Sequence, residues 1–175
     1  MSDDTPTARA VDREQLVLPR RITIVQTDPG SPAAAPLLRS LDAEYRALYG
    51  GVVDDEVSRH DAREFQPPTG AFLVATVGGE TIAGGALRRW SAGVGEIERM
   101  WTSPSDRGQG HARRILVSLE GVAARFGYRT VRLETGSLQT AAIALYSRSG
   151  YRRIPCYGHD AGESRCIGFE KSLTG

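Results

Sequence analysis

A strand, a glycine-rich loop and a long amphipathic helix follow one another over residues 95–127, and this run constrains the fold most. The loop spans residues 107–112 and contains two glycines, which allow a tight turn and a close approach to a ligand. The helix behind it carries apolar residues at i, i+3 and i+4 spacing and stops at Gly127. Its first turn adds unpaired N–H groups and a positive dipole end. This arrangement is typical of a pyrophosphate site.

The remaining patterns predict an α/β protein with a mixed sheet. We predict a strand over 21–25, a helix that runs from about residue 32 to Gly50-Gly51, and a weaker helix over about 54–65. The later strands are predicted at 71–77, 81–90, 95–102, 130–135, 151–154 and 165–171, with a further helix at 140–149. We expect residues 1–19 to be a flexible tail and residues 20–175 to form one domain.

Other glycine-rich loops fit the 107–112 segment less well. No Lys-Ser or Lys-Thr follows, so it is not a Walker A loop. A dinucleotide fingerprint requires a third glycine near Arg113, and the strands before the loop look antiparallel rather than βαβ. A loop that merely closes a strand–helix corner, with exposed arginines, remains the other interpretation of the hexapeptide alone.

Composition excludes several classes of function. The 175 residues carry a formal net charge of +1, which argues against a nucleic-acid binder that depends on many phosphate contacts. The N-terminus has no apolar run that suits a signal peptide or membrane span, so a cytoplasmic protein is expected. The three histidines are scattered and predict no metal site. We expect Cys156 and Cys166 to be reduced thiols.

The motifs together resemble the GNAT superfamily of N-acetyltransferases. Residues 107–112 match its Arg/Gln-x-x-Gly-x-Gly/Ala coenzyme A signature, and residues 95–101 and Ser103-Pro104 match its upstream segment. Residues 144–151 look like its Leu-Tyr-x-x-x-Gly-Phe/Tyr segment. Finer matches at 133–136 and 154–158 point to a large, uncharacterised bacterial branch. Gln139 and Thr102 depart from common family residues.

This resemblance implies a mixed, mostly antiparallel twisted sheet of about six to seven strands flanked by about four helices. It also implies acetyl-CoA (coenzyme A) as the donor. The residues expected to bind this cofactor are Met100, Trp101, Thr102, Arg107, Gly108, Gln109, Gly110, His111, Ala112, Arg113 and Gln139. Backbone N–H groups near Met100 and Thr102 would contact the thioester and the pantetheine arm.

Two residues are expected to carry the proton transfers. Glu96 falls at the family's glutamate base, and Glu98 lies two residues on, so both carboxylates share a strand face. Mutual repulsion and burial there would raise one pKa and make a better base. Tyr146 resembles the family's general acid, which protonates the coenzyme A sulfur. An ordinary polar strand face and an ordinary core tyrosine are the structural alternatives.

The expected reaction is transfer of an acetyl group to a primary amine of a small molecule by direct attack in a ternary complex. The acceptor-site candidates are Tyr49, Arg89, Glu98, Arg99 and Tyr157. Clustered arginines would favour an amine that also carries a carboxylate or phosphate. Two alternatives remain: a non-catalytic acyl-CoA-binding regulatory module, and an NAD(P)-dependent oxidoreductase whose Gly-x-Gly loop would bind the nucleotide. No nucleic-acid or membrane partner is expected, and a homodimer is one option.

Overall fold

The computed structural model describes residues 21–49, 60–158, 161–162 and 164–174, and the predicted tail at 1–19 lies outside them. Seven strands form one sheet: β1 Thr23–Gln26, β2 Ala71–Val77, β3 Glu80–Ser91, β4 Val94–Thr102, β5 Thr130–Gly136, β6 Arg152–Ile154 and β7 Cys166–Ser172. Three α-helices are described: α1 Ala35–Tyr49, α2 His111–Arg125 and α3 Thr140–Arg148. Short 3₁₀ turns cover Ala62–Phe65 and Pro104–Asp106.

The strand order is β1-β2-β3-β4-β5-β7-β6, and all neighbours are antiparallel except β4 and β5. The predicted mixed, mostly antiparallel sheet is therefore confirmed. The weak helix predicted over 54–65 falls partly outside the described residues. Its described end is the 3₁₀ turn Ala62–Phe65, which begins at a capping box formed by Asp61 and Glu64.

The two faces of the sheet bury separate apolar clusters. On one face α2 packs Ile115, Leu116 and Leu119 against residues such as Leu87 and Ile97, all of them buried. On the other face α1 and the Ala62–Phe65 turn cover a second cluster. That second cluster contains Leu37, Phe65, Phe72, Ala86 and Trp101. Because side chains alternate along a strand, successive residues of β3 or of β4 point to opposite faces of the sheet, one covered by α2 and the other by α1.

Strands β4 and β5 separate soon after they begin. Among the described residues their parallel pairing runs only from Val94–Thr130 to Glu96–Arg132, although β4 continues to Thr102 and β5 to Gly136. A β-bulge bends β4 beyond that point. The stretch of β4 from Glu98 to Trp101 contains one residue more than the stretch of β3 opposite it, from Ala86 to Gly84. Arg99 within the bulge has a φ of 55°. The two strands thus open a wedge in the sheet.

Cys156 and Cys166 are joined by a disulfide, with Cα atoms 6.3 Å apart. The expectation of reduced thiols is therefore wrong for this structure. The reason is topological: Ile154 pairs with Gly168, so the residues just outside this antiparallel pair face each other. Within the described part of the chain, no helix has both the length and the apolar character needed to cross a membrane.

Candidate active site

A cavity of about 670 Å³ lies where β4 and β5 separate. Its walls are the end of β4, the 107–112 loop, the first turn of α2, α3 and one side of α1. Most residues predicted to bind the cofactor line it: Met100, Trp101, Thr102, Arg107, Gly108, Gly110, His111, Ala112, Arg113 and Gln139. Gln109 is exposed and is not among the lining residues. Tyr146 lines the cavity as well.

The loop before α2 is shaped by two left-handed glycines. Gly108 has a φ of 76° and Gly110, the N-cap of α2, a φ of 80°. A Cβ at either position would have no atom within 4 Å, so backbone conformation and not crowding calls for glycine. No side chain caps the helix, and its first turn has no acidic residue. Exposed Arg113 follows instead, so this positive helix end is suited to an anion.

Arg107 ties the loop to its surroundings. Its Nε donates to the carbonyl oxygen of Thr102 at 3.1 Å, and its Nη2 lies 2.6 Å from Glu44 Oε1 on α1. The side chain is half-exposed at the rim of the cavity. The exposed pair with Glu44 contributes little to stability, so an anionic ligand can compete for the guanidinium.

Four polar atoms on described residues that line the cavity are buried and lack a hydrogen-bond partner. They are Trp101 Nε1, Thr102 Oγ1, His111 Nδ1 and Ser149 Oγ. An unpaired buried polar group costs about 1–3 kcal/mol, so a ligand with polar groups along its length fits this cavity better than an apolar one. Leu48 and Leu138 line the same cavity and are about half exposed, which adds an apolar surface. The donor set suits an elongated molecule with an anionic end.

Helix α3 supplies two of the predicted residues. Gln139 is its N-cap residue, and Gln139 Oε1 accepts a hydrogen bond of 2.7 Å from the hydroxyl of Thr135 at the end of β5. Tyr146 is 4% exposed, and its ring lies 5.6 Å from that of Phe169. Burial raises the pKa of Tyr146, so its hydroxyl stays protonated and can act as an acid.

A charged cluster occupies the α1 face of β3 and β4. Arg88 pairs with Glu96 across the two strands, with Nη2 2.5 Å from Oε2. The same guanidinium holds Glu98 through Nε at 3.0 Å and Glu64 through Nη1 at 3.0 Å. His60 Nε2 lies 3.1 Å from Glu98. Three carboxylates therefore converge on one arginine.

The two strand carboxylates titrate in opposite directions. Burial, and then repulsion by Glu98, raises the pKa of Glu96 to about 7 against the opposing effects of Arg88 and Tyr157. Burial also disfavours the charged form of Glu98, but hydrogen bonds and charge from His60 and Arg88 outweigh it and lower the pKa to about 2. Glu96 is thus the member of the pair suited to take a proton near neutral pH.

Tyr157 lies over Glu96, with its hydroxyl donating to Glu96 Oε1 at 2.9 Å. Its backbone N–H donates to Glu134 Oε1 at 2.6 Å. Its ring meets Trp90 edge-on at 4.9 Å, and the guanidinium of Arg132 stacks on it at 4.4 Å. The structure therefore places this predicted acceptor-site residue beside the predicted base.

Glu98 shares Arg88 with Glu96, but the remaining acceptor-site candidates do not converge on Glu96. Arg89 is exposed and pairs with Gly95 on β4. A Cβ at Gly95 would meet Tyr128, so this residue pair faces α2. Arg89 therefore lies on the opposite side of the sheet from Glu96. The bulge puts Arg99 on the α1 face, with its guanidinium 4.1 Å from the ring centre of Phe65. The Tyr49 hydroxyl packs so closely on Gly136 that no Cβ would fit there.

Sequence reasoning missed the residues that hold the two carboxylates. Glu64 and His60 come from a segment whose place beside the sheet has no local signal. The partner of Glu96 was also hidden: the ladder is irregular between Arg89 and Ser91, so counting back from Ser91–Val94 would put Arg89, not Arg88, opposite Glu96.

The sequence model of the Acetyltransferase (GNAT) family matches residues 36–151, about two thirds of the chain and all of the loop, α2 and Tyr146. The chain belongs to the GNAT acetyltransferase family. Its members transfer acyl groups, and the architecture and the cavity described above agree with that class of fold.

Individual relatives of this GNAT protein cover nearly its whole length. An IAA acetyltransferase of Azospirillum brasilense is 31% identical over 87% of this chain and 98% of its own. A crystal structure from Klebsiella pneumoniae, named as a putative acyl-CoA N-acyltransferase, has a TM-score of 0.73 at 30% identity and covers 87% and 97% of the two chains. A GNAT acetyltransferase of Elizabethkingia anophelis with acetyl-CoA bound has a TM-score of 0.62 at 20% identity, covering 86% and 97%.

Proposed function

We propose that this protein is an N-acetyltransferase that transfers the acetyl group of acetyl-CoA to a primary amine of a small molecule. The observation that carries the proposal is the cavity at the β4–β5 wedge, which has a bare helix N-terminus at one end. The buried carboxylate of Glu96 belongs to the last residue pair before the two strands separate. The proposed transfer is direct, within a ternary complex, with the amine attacking the thioester where the strands part.

The cavity fits the donor along its length. The 107–112 loop and the first turn of α2 would hold the pyrophosphate through backbone N–H groups, with Arg107 and Arg113 adding charge. The half-exposed Leu138 and the unpartnered Thr102 hydroxyl suit an arm that alternates apolar and amide groups. The bulge at Arg99 bends β4 at the wedge, where a backbone N–H donor would meet the thioester oxygen. The bound thioester supplies the activated acetyl group.

Glu96 serves as the base. An alkyl amine has a reference pKa of about 10.4, so exposing its lone pair at pH 7 costs roughly 4–5 kcal/mol. A carboxylate that is half ionised near neutral pH can take the proton as the amine attacks. Burial is the main cause of the raised pKa of Glu96; Glu98 adds to the rise and Arg88 limits it.

Tyr146 serves as the acid. It lines the cavity from α3, and burial holds its hydroxyl in the protonated form. It would give a proton to the departing thiolate, which would otherwise leave as an anion in an enclosed site.

The acceptor site favours a cationic amine. Arg88 is already surrounded by Glu64, Glu96 and Glu98, and Arg89 faces the other side of the sheet. The arginines therefore give no support to the expectation of a carboxylate- or phosphate-bearing acceptor. The carboxylate excess around Glu96 would attract an ammonium group. We propose a cytoplasmic enzyme that acts on a soluble amine, with no nucleic-acid or membrane partner.

The test is a panel assay. Purified protein would be incubated with acetyl-CoA and with polyamines, amino acids and amino sugars, and free thiol would be followed. Turnover of a cationic amine, with loss in Glu96→Gln, supports the proposal. Saturable acetyl-CoA binding without turnover of any amine, and no response to Glu96→Gln, would indicate a non-catalytic acyl-CoA-binding module instead.

A further inference from the structure

The carboxylate of Glu96 is covered by other side chains. The residue is 4% exposed, with Oε2 beside Arg88 and Oε1 beside the hydroxyl of Tyr157. Arg88 cannot easily move aside, because Glu64 and Glu98 hold its other nitrogen atoms. An amine directed at Oε1 of Glu96 therefore meets the hydroxyl of Tyr157 there.

Tyr157 is held firmly over that carboxylate. The backbone N–H groups of Tyr157 and Gly158 both donate to Glu134 Oε1, at 2.6 and 3.1 Å. The ring is fixed between Trp90 and Arg132, and the preceding residue, Cys156, is joined to β7 by the disulfide. Tyr157 as a residue is partly exposed, while Glu96 is buried. A residue that reaches the surface thus holds its hydroxyl against the base.

We propose that Tyr157 is a catalytic residue that passes the proton of the acceptor amine to Glu96, a role that rests on the proposed acetyl transfer. As the amine nitrogen bonds to the acetyl carbon, its N–H proton moves to the oxygen of Tyr157. The O–H proton of Tyr157 moves to Glu96 Oε1 in the same step. One proton leaves the amine and one reaches the carboxylate, and the tyrosine ends as it began.

The charges around the two groups require the two transfers to occur together. Burial, and then the negative charge of Glu96, raises the pKa of Tyr157, with Glu134 adding to the rise and Arg132 opposing it. A separate phenolate is therefore disfavoured. Glu96 itself is faced by Arg88 from β3, by Glu98 from β4 and by Tyr157. Among these groups, only Tyr157 offers it a proton through a neutral O–H.

The test replaces the hydroxyl alone. Tyr157→Phe keeps the ring contacts with Trp90 and Arg132, so we expect it to fold and to bind acetyl-CoA as the wild type does. We expect kcat to fall on the order of 10²-fold or more, the usual contribution of proton transfer. The matched control is Tyr128→Phe. Tyr128 is a buried tyrosine on the α2 face of the sheet, and its hydroxyl donates to the carbonyl oxygen of Thr69. The control variant should leave kcat unchanged.

A second measurement needs no turnover. Because the hydrogen bond from Tyr157 favours the ionised form of Glu96, the midpoint for Glu96 in a ¹³C NMR titration of the free protein should rise in Tyr157→Phe. Site-specific 3-fluorotyrosine at position 157, which keeps the hydroxyl, should restore turnover. Wild-type kcat in Tyr157→Phe, or an unmoved Glu96 midpoint, would overturn the role of Tyr157. If wild-type protein acetylates no amine, the proposed function fails instead.

Discussion

Glu96 shares its carboxylate between a guanidinium and a phenol, while a second carboxylate two residues along the strand is held ionised. Arg88 and Tyr157 stabilise the charged form of Glu96, and burial and Glu98 destabilise it. The balance puts the pKa near 7, where a base is most effective at neutral pH. The chemistry assigned to this residue depends on its neighbours as much as on its own identity.

Replacing Glu96 by glutamine tests its role directly. Glu96→Gln keeps the size of the side chain but cannot take a proton, so we expect kcat to fall about 10²-fold or more with little change in the Kd of acetyl-CoA. Glu120→Gln is the control, because Glu120 is also a hydrogen-bonded carboxylate, held by Tyr151 and Lys171. Steady-state assays alongside calorimetric titration measure both quantities. Equal kcat for Glu96→Gln and wild type would remove Glu96 from the mechanism.

The pH dependence of kcat follows from the same balance. Glu96 must be ionised to accept a proton, and its raised pKa keeps it protonated at lower pH. We therefore expect kcat to rise with pH up to about 7 and then to level off. Glu98 should add no step in this range, since its pKa is lowered to about 2. A profile that is flat from pH 5 to 9 at saturating substrate contradicts the assignment.

Residue types and spacing predicted the pair of glutamates but not which side chains surround them. Strand alternation correctly put Glu96 and Glu98 on one face. It failed at Arg99, because a bulge adds a residue and changes the face on which the side chain lies. A bulge of this kind depends on pairing with a neighbouring strand, which local sequence does not report.

Among the elements, the loop and α2 act as one unit for anion binding. The helix begins without a side-chain cap or an acidic residue in its first turn, and Gly110 and His111 at its start line the cavity. This arrangement is costly for an isolated helix and useful for one that binds phosphate.

A carboxylate placed in the loop should prevent binding. In Gly110→Asp we expect acetyl-CoA affinity to fall on the order of 10²-fold or more, because a negative charge lies at the anion site. Gly127→Asp, just beyond the other end of α2, is the matched control. Gly127 has a φ of 84°, similar to the 80° of Gly110, and a Cβ at either position would have no atom within 4 Å. Titration calorimetry compares the two. If the two variants bound acetyl-CoA with similar Kd values, backbone strain and not the added charge would explain any loss of affinity.

The disulfide between Cys156 and Cys166 closes the connection from β6 to β7. The cysteines are 10 residues apart, and closing a loop of that length stabilises the fold by about 2–3 kcal/mol. The double variant Cys156→Ser, Cys166→Ser should lose that amount of unfolding free energy in urea denaturation. Dithiothreitol should lower the wild-type midpoint and leave the double variant unchanged. No difference between wild type and double variant would show that the thiols are not paired in solution.

Elements with strong local patterns were predicted well, and those that depend on distant partners were not. The hairpin of β2 and β3 and the helices α1, α2 and α3 carry clear apolar periods and glycine stops. The pairing of the two cysteines required the register of β6 and β7, which cysteine spacing alone does not give.

For the whole molecule, the separation of β4 and β5 links the fold to its chemistry. One wedge presents the end of β4, the start of α2 and the side of α3 to a single cavity, with Glu96 at the residue where the strands part. From three motifs, the family resemblance assigned the end of β4, the loop before α2 and Tyr146 on α3 to one site, but it did not predict the separation of the strands. The acceptor side, which includes His60 and Glu64, was beyond such motifs because their contacts with Glu98 and Arg88 are long-range.

The most direct test of the central claim is a calorimetric titration of the purified protein with acetyl-CoA, with NADPH as the control ligand. We predict saturable binding of acetyl-CoA at one site and no binding of NADPH. Absence of acetyl-CoA binding to folded protein would contradict the assignment of the wedge cavity. Binding of NADPH in its place would identify the glycine-rich loop as a dinucleotide site.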